Sequence, residues 1–306
     1  MAGKDDLDLD LDLDLDLGIS GGVGSGRGPR FNSDAFPRLM PANPSVKWPT
    51  KKYSTEWDPE MRAWAYVQEF IDVPPWVKDP IQDVMAAYAA QTQFPVPRLS
   101  GPPTAADDTI ITQQVVGVLN ASIDRADRTA EILDQASGQG ALHYWTGLLR
   151  ISAAKPNAAY LLMLVARKIG EYVSMGLKNQ YLMRRPAQVY PWIMPLIDGP
   201  DTPSYPSGHS LQGHLVSGAL KLALTPAVPP PPVAPPMPYP ETARALDVLA
   251  DRVAYNREVA GVHYSMDSQA GAYGAQICLQ ALNGLGPNTA FKTLVAAAKQ
   301  ELSDLP

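Results

Sequence analysis

PNAAYLLMLVARKIGEYVSMGLKNQYLMRRP, residues 156–186, is the stretch from which the fold of this 306-residue chain is read. Leu161, Leu164, Val165, Ile169, Tyr172, Val173 and Leu177 recur mostly at three- and four-residue spacing, the repeat that lays side chains along one side of an α-helix. Pro156 is placed to open that helix, because a proline in the first turn removes no hydrogen bond the helix would make. So broad an apolar stripe predicts a helix at the centre of a bundle. The uninterrupted apolar run, Ala158 to Ala166, stops at Arg167 and Lys168. A membrane span needs roughly 20 apolar residues, so a soluble protein with no membrane span is expected.

The same period continues on both sides. Asp58-Pro59 reads as a cap and first turn ahead of Met61, Trp64, Ala65, Val67 and Phe70, and Asp79-Pro80 opens a second helix. One long helix is expected from Ala106 to Ala136, carrying Ile110, Val115, Val116, Leu119, Ile123, Ala126, Ala130 and Leu133 and closed by Gly138 or Gly140. Further helical patterns follow Ser207, Glu241, Asp267 and Pro287. No run alternates in the manner of a strand and no internal repeat is present, so the predicted class is all-α. Pro226 to Pro240 holds nine prolines in fifteen residues and reads as an extended spacer between two helices, with a ligand for a proline-recognising module as the other reading.

Residues 1–17 contain seven Asp and one Lys, which account for the whole net charge of -6. Residues 18–306 carry 24 charges of each sign, so nucleic acid and anionic membranes are not expected as partners. The Asp-Leu alternation from Leu7 to Leu17 and the Gly- and Pro-rich stretch after it read as a disordered tail over residues 1–50, ahead of one helical domain over 51–306. A secretory signal would need a continuous apolar core where Asp and Leu alternate, so a cytoplasmic location is expected. The single Cys278 excludes an internal disulfide.

Three segments gather anion-binding or proton-transferring groups beside a turn. Lys178 and Arg184-Arg185-Pro186 follow the central helix, where cations also complement the helix dipole without any function. Tyr205-Pro206-Ser207-Gly208-His209-Ser210 opens another helix. There Ser207 is a natural cap, Gly208 leaves the backbone N–H groups open to a phosphate-like anion, and His209 occupies a first turn that disfavours a cation. In the third segment, Asn256-Arg257 precedes His263 and Asp267. A carboxylate four residues after a histidine can hold one ring nitrogen and leave the other for chemistry, although such a pair is also a common surface contact.

In this order and spacing the segments resemble the signature of the type 2 phosphatidic acid phosphatase superfamily, which includes bacterial class A acid phosphatases and vanadium-dependent haloperoxidases. The pattern Lys-x6-Arg-Pro, Pro-Ser-Gly-His, Ser-Arg-x5-His-x3-Asp is met by Lys178, Arg185, Pro186, then Pro206, Ser207, Gly208, His209, then Arg257, His263, Asp267. Asn256 stands where the family has Ser, a small polar exchange. The resemblance implies a helical bundle of the acid phosphatase/haloperoxidase type. Lys178, Arg185, Ser207, Gly208 and Arg257 would bind phosphate, and His263 would be the nucleophile, oriented by Asp267. His209 would protonate the leaving alkoxide and then activate water. The resemblance implies a small phosphate ester as substrate, with neither metal nor other cofactor. In the haloperoxidases the same cradle holds vanadate as cofactor, with the equivalent of His263 as its ligand.

The motifs are shared by both chemistries, and the roughly 250-residue folded part resembles the acid phosphatases in size. Thr202, five residues before Ser207, is small where haloperoxidases resemble one another in an aromatic residue or His, which also favours the phosphatase. The missing export signal counts the other way. The expectation is therefore a phosphomonoesterase working through a phosphohistidine, with the haloperoxidase and a non-catalytic phosphate binder as alternatives. His214 is a further candidate at the pocket mouth, and Tyr181, Tyr190, Trp192 and Tyr205 are candidate pocket walls, each with ordinary packing or a solvated face as the other reading. Oligomeric state is left open.

Overall fold

The computed structural model describes residues 58–73, 75–98, 104–136, 140–151, 157–225 and 240–303, and every regular element among them is a helix. In chain order these are α1 (Pro59–Asp72), α2 (Pro80–Ala90), α3 (Ala105–Ala121), α4 (Arg125–Gln135), α5 (Leu142–Leu148), α6 (Ala158–Tyr181), the single turn α7 (Pro186–Val189), α8 (Gly208–Leu224), α9 (Pro240–Ala260), α10 (Ser265–Gly284) and α11 (Ala290–Leu302). The all-α expectation is met in these residues. The acidic tail and the prolines at 226–239 lie outside them, whereas Pro240 is the first residue of α9 rather than the end of a spacer.

Local chemistry sets the helix starts. Asp58 Oδ1 accepts from Glu60 N at 2.9 Å, and Asp79 Oδ1 from Gln82 N at 2.9 Å, each followed by a proline that continues the first turn. Asn157 caps α6, its Oδ1 accepting from Tyr160 N at 2.7 Å, so the helix starts at Ala158 and Pro156, expected in its first turn, lies outside the described residues.

The middle of the bundle is α6 packed on α8, with α1 and α11 also against α6, and α9 and α10 against α8. The burial of α6 goes beyond a stripe, since every residue from Leu161 to Glu171 is buried, while Tyr172 is only partly so. Arg167 and Lys168, which read as the end of the apolar run, are therefore inside the protein. Arg167 Nη2 donates to Glu60 Oε1 at 2.7 Å, and Lys168 Nζ lies 3.3 Å from Glu171 Oε2 and 3.6 Å from Glu60 Oε2. An unpaired charge there would cost several kcal/mol, so this pairing is a condition for burying the helix on all sides.

The expected helix over 106–136 is two helices, α3 and α4, joined by a 3₁₀ turn at Ser122–Asp124. The turn re-aims the chain, so one 3.6 period cannot cover both halves. Val115, Val118, Ala121 and Ile132 face inward, while Val116, Leu133 and Ile123 are exposed, Ile123 by 79%. On α1, likewise, Ala63, Val67 and Phe70 are buried and Met61 and Trp64 are exposed. Among the described residues no helix is long and apolar enough to cross a membrane.

Candidate active site

Helix ends converge on a cavity of about 210 Å³ lined by Lys178, Arg185, Gly208, His209, Arg257 and His263, with Gln135, Ala136, Ile197, Asp198, Pro200 and Val262 completing its wall. Lys178 is in the last turn of α6, Arg185 is the cap residue of α7, and Gly208 and His209 begin α8. Arg257 is in the last turn of α9 and His263 in the turn that follows. Asp267 lies in the first turn of α10, which starts at Ser265. Three segments separated in the chain are thus brought to one place.

The turn from α9 into α10 depends on Gly261, whose φ of +85° is disfavoured for L side chains. A Cβ there would also lie 2.8 Å from both Arg125 Nη2 and Ile193 Cγ2. At Gly271 on α10 a Cβ would lie 2.7 Å from Ser207 O, so its absence lets the start of α8 sit against α10. Across that contact Ser207 N donates to Asp267 O at 3.0 Å.

His263 is buried, and its Nδ1 lies 3.0 Å from Asp267 Oδ2. The same Oδ2 accepts from Tyr264 N at 2.9 Å and from Ser204 Oγ at 2.5 Å. A carboxylate oxygen only accepts, so Nδ1 carries the ring proton and Nε2 presents a lone pair, 3.4 Å from Arg185 Nη1. Burial first, then the charges of Arg185, Lys178, His209 and Arg257, hold His263 well below the ordinary histidine range. Its ring is therefore neutral. Burial pushes Asp267 up to about 6, opposed by the hydrogen bonds from Ser204 and Tyr264 N and by the positive charges of Lys178 and Arg185.

The cations are fixed by groups that sequence reasoning passed over. Thr202, read only as a small residue, accepts at Oγ1 from Lys178 Nζ at 3.2 Å and Arg185 Nη2 at 3.0 Å, and at its carbonyl from Arg185 Nε at 2.8 Å. Lys178 Nζ also donates to Pro203 O at 2.6 Å, and Arg185 Nη1 to Val262 O at 3.0 Å. Gln135 Oε1 accepts from Arg257 Nη2 at 3.2 Å and from Asn256 Nδ2 at 3.1 Å. Arg125 donates to Val259 O, Met194 O and Ile193 O at 2.9 to 3.1 Å, tying the segment before Ile197 to the end of α9. No short motif signals Gln135, Ser204 or Arg125, because their partners lie 59 to 134 positions away.

Several expectations change. Ser207 is fully buried one residue behind the cavity wall, and its Oγ accepts from Ser210 N at 3.4 Å as a helix cap. Asn256 is buried and turned away from the cavity, accepting from Arg128 Nη1 at 2.9 Å while it donates to Gln135. It supports Arg257 rather than touching an anion. His214 is not in the wall; its ring spans Ser210 O at 2.7 Å and Asp251 Oδ1 at 3.1 Å along the helix face. Tyr181 and Tyr205 are buried in an aromatic cluster with Tyr88, and Tyr190 and Trp192 are exposed, so none of the four walls the cavity.

Chemically, the cavity joins a neutral imidazole nitrogen to three cationic side chains and a helix N-terminus. Such a site suits a tetrahedral oxyanion and an attack on its central atom. Among the described residues no cluster of His, Cys, Asp and Glu could hold a metal ion.

Removing the Ser204 hydroxyl has a signed consequence. It stabilises ionised Asp267, so Ser204→Ala should raise the Asp267 pKa above about 6. A pH titration of the Asp267 carboxyl, followed by NMR of the full chain, should show its midpoint move to higher pH by about one unit, and an unmoved midpoint would remove Ser204 from the control of this ionisation.

No known family model matches the chain, and no curated protein is found similar to it.

Proposed function

We propose that this protein is a phosphomonoesterase of the type 2 phosphatidic acid phosphatase superfamily, with His263 as nucleophile. The observation that carries the reading is the buried Asp267–His263 pair, whose unprotonated Nε2 shares one cavity with Lys178, Arg185, Arg257 and His209. Lys178, Arg185 and Arg257, with the Gly208 N–H at the start of α8, hold the phosphate oxygens and draw charge off phosphorus. Nε2 then attacks phosphorus, the ester P–O bond breaks, and His209 gives its proton to the departing alkoxide. Positive charge grows on the His263 ring as the phosphohistidine forms, and the Asp267 carboxylate on Nδ1–H stabilises it. Water then attacks phosphorus with His209 as base, the P–N bond breaks, and phosphate leaves.

The cradle suits vanadate as well as phosphate, because the two anions share shape and charge. With vanadate held at His263, oxidation of halide by hydrogen peroxide would become available to the same residues. One purified batch separates the readings: p-nitrophenyl phosphate hydrolysis without added metal, and bromination of a phenol-red dye with peroxide, bromide and vanadate. Phosphate release inhibited by vanadate is the expected result. Vanadate-dependent bromination with little phosphate release would replace this reading with the haloperoxidase, and stoichiometric anion binding without turnover would make the protein a binder.

A further inference from the structure

A second cavity, of about 30 Å³, adjoins the first through His209 and is bounded by Trp145, Arg167, Gln212, Val216 and Val253. Gln212 lies one helical turn beyond His209 on α8 and is 8% exposed. Its Nε2 is buried and has no hydrogen-bond partner among the described residues. A buried amide donor left alone costs about 1–3 kcal/mol, so such groups are nearly always satisfied by protein or ordered water. The volume exceeds the 10–15 Å³ or so that one water needs. Gln212, the His209 imidazole and the Arg167 guanidinium are polar groups of its wall, beside Trp145, Val216 and Val253.

We propose that this cavity seats the water that dephosphorylates His263, with Gln212 as the positioning residue that presents it to His209. The inference rests on the phosphatase reading above. In the second half-reaction the water oxygen forms the new P–O bond as the P–N bond breaks. The P–N electron pair returns to His263 Nε2, and the water proton passes to His209, which gave up its own proton to the first leaving group. Holding the water beside the base before the phosphohistidine forms favours water over other acceptors.

The test is a partition experiment with the full chain, p-nitrophenyl phosphate and added methanol. Methyl phosphate and inorganic phosphate are quantified by phosphorus NMR, and phosphohistidine by alkaline quench. Gln212→Leu should raise the methyl phosphate share and the steady-state phosphohistidine level, each by about fivefold or more. Val253→Leu, which fills the cavity and leaves every polar group in place, should move both the same way. A purely structural loss would lower overall rate and leave the acceptor ratio where it was. An unchanged ratio in folded Gln212→Leu or Val253→Leu, with phosphohistidine still trapped, would overturn the water site and leave the phosphatase reading standing. No phosphohistidine in the unmodified protein would overturn both.

Discussion

His263→Ala is expected to lower kcat/KM for p-nitrophenyl phosphate by about 10⁴-fold or more and to abolish the trapped phosphoenzyme. The size of the loss comes from the arrangement around one atom. Asp267 Oδ2 holds Nδ1–H at 3.0 Å, so the reactive lone pair is confined to Nε2, and burial with the surrounding cations keeps it unprotonated. Water placed in the vacated space could not form a covalent intermediate. Vanadate should still bind, more weakly, because Lys178, Arg185 and Arg257 remain. Direct binding to the variant, followed by calorimetry, separates loss of the nucleophile from loss of the fold. A variant that kept its phosphoenzyme would place the nucleophile elsewhere.

Arg185→Leu should lower kcat/KM by about 10³-fold and weaken vanadate inhibition in parallel. It should also lower stability, by a few kcal/mol, roughly 3. Both effects follow from one guanidinium that donates to Thr202 O, Thr202 Oγ1 and Val262 O while its Nη1 approaches His263 Nε2. Without it the two carbonyls lose these donors in a buried place, and the cavity loses a charge. Arg185→Lys should recover part of the stability and little of the activity, because a single ammonium cannot reach two loops and the anion at once. Kinetics with vanadate titration and thermal denaturation of the same samples read the two effects. Unchanged inhibition would remove Arg185 from the anion site.

Helix existence was legible because it is a local property. Asp58, Asp79 and Ser207 cap as their sequences imply, and the apolar spacing of residues 161–177 marks the central helix. What failed was any inference needing to know which side of a helix is covered. Met61, Trp64, Val116, Ile123 and Leu133 fit the period and lie outside, because the 3₁₀ turn at Ser122–Asp124 and the neighbours of α1 decide which face meets the core. The burial of Arg167 and Lys168, which end the apolar run, is not local either, since Glu60, more than a hundred positions earlier, supplies the partner that allows it.

The candidate site divides along the same line. Lys178, Arg185, Gly208, His209, Arg257 and His263, and Asp267 behind them, can be named because their order and spacing resemble a superfamily signature, and each is carried at or beside a helix end. The sequence by itself therefore determined the helical class seen in the described residues and offered the candidate groups. Tertiary structure decided that these groups share one cavity, that Ser207 caps rather than faces it, and that Thr202, Ser204 and Gln135 hold its cations and carboxylate in place. The physical reason is range. Capping and periodicity act within a turn or two of helix, whereas burial, hydrogen-bond partnership and the pKa values they set arise only where segments 59 to 122 positions apart exclude water together.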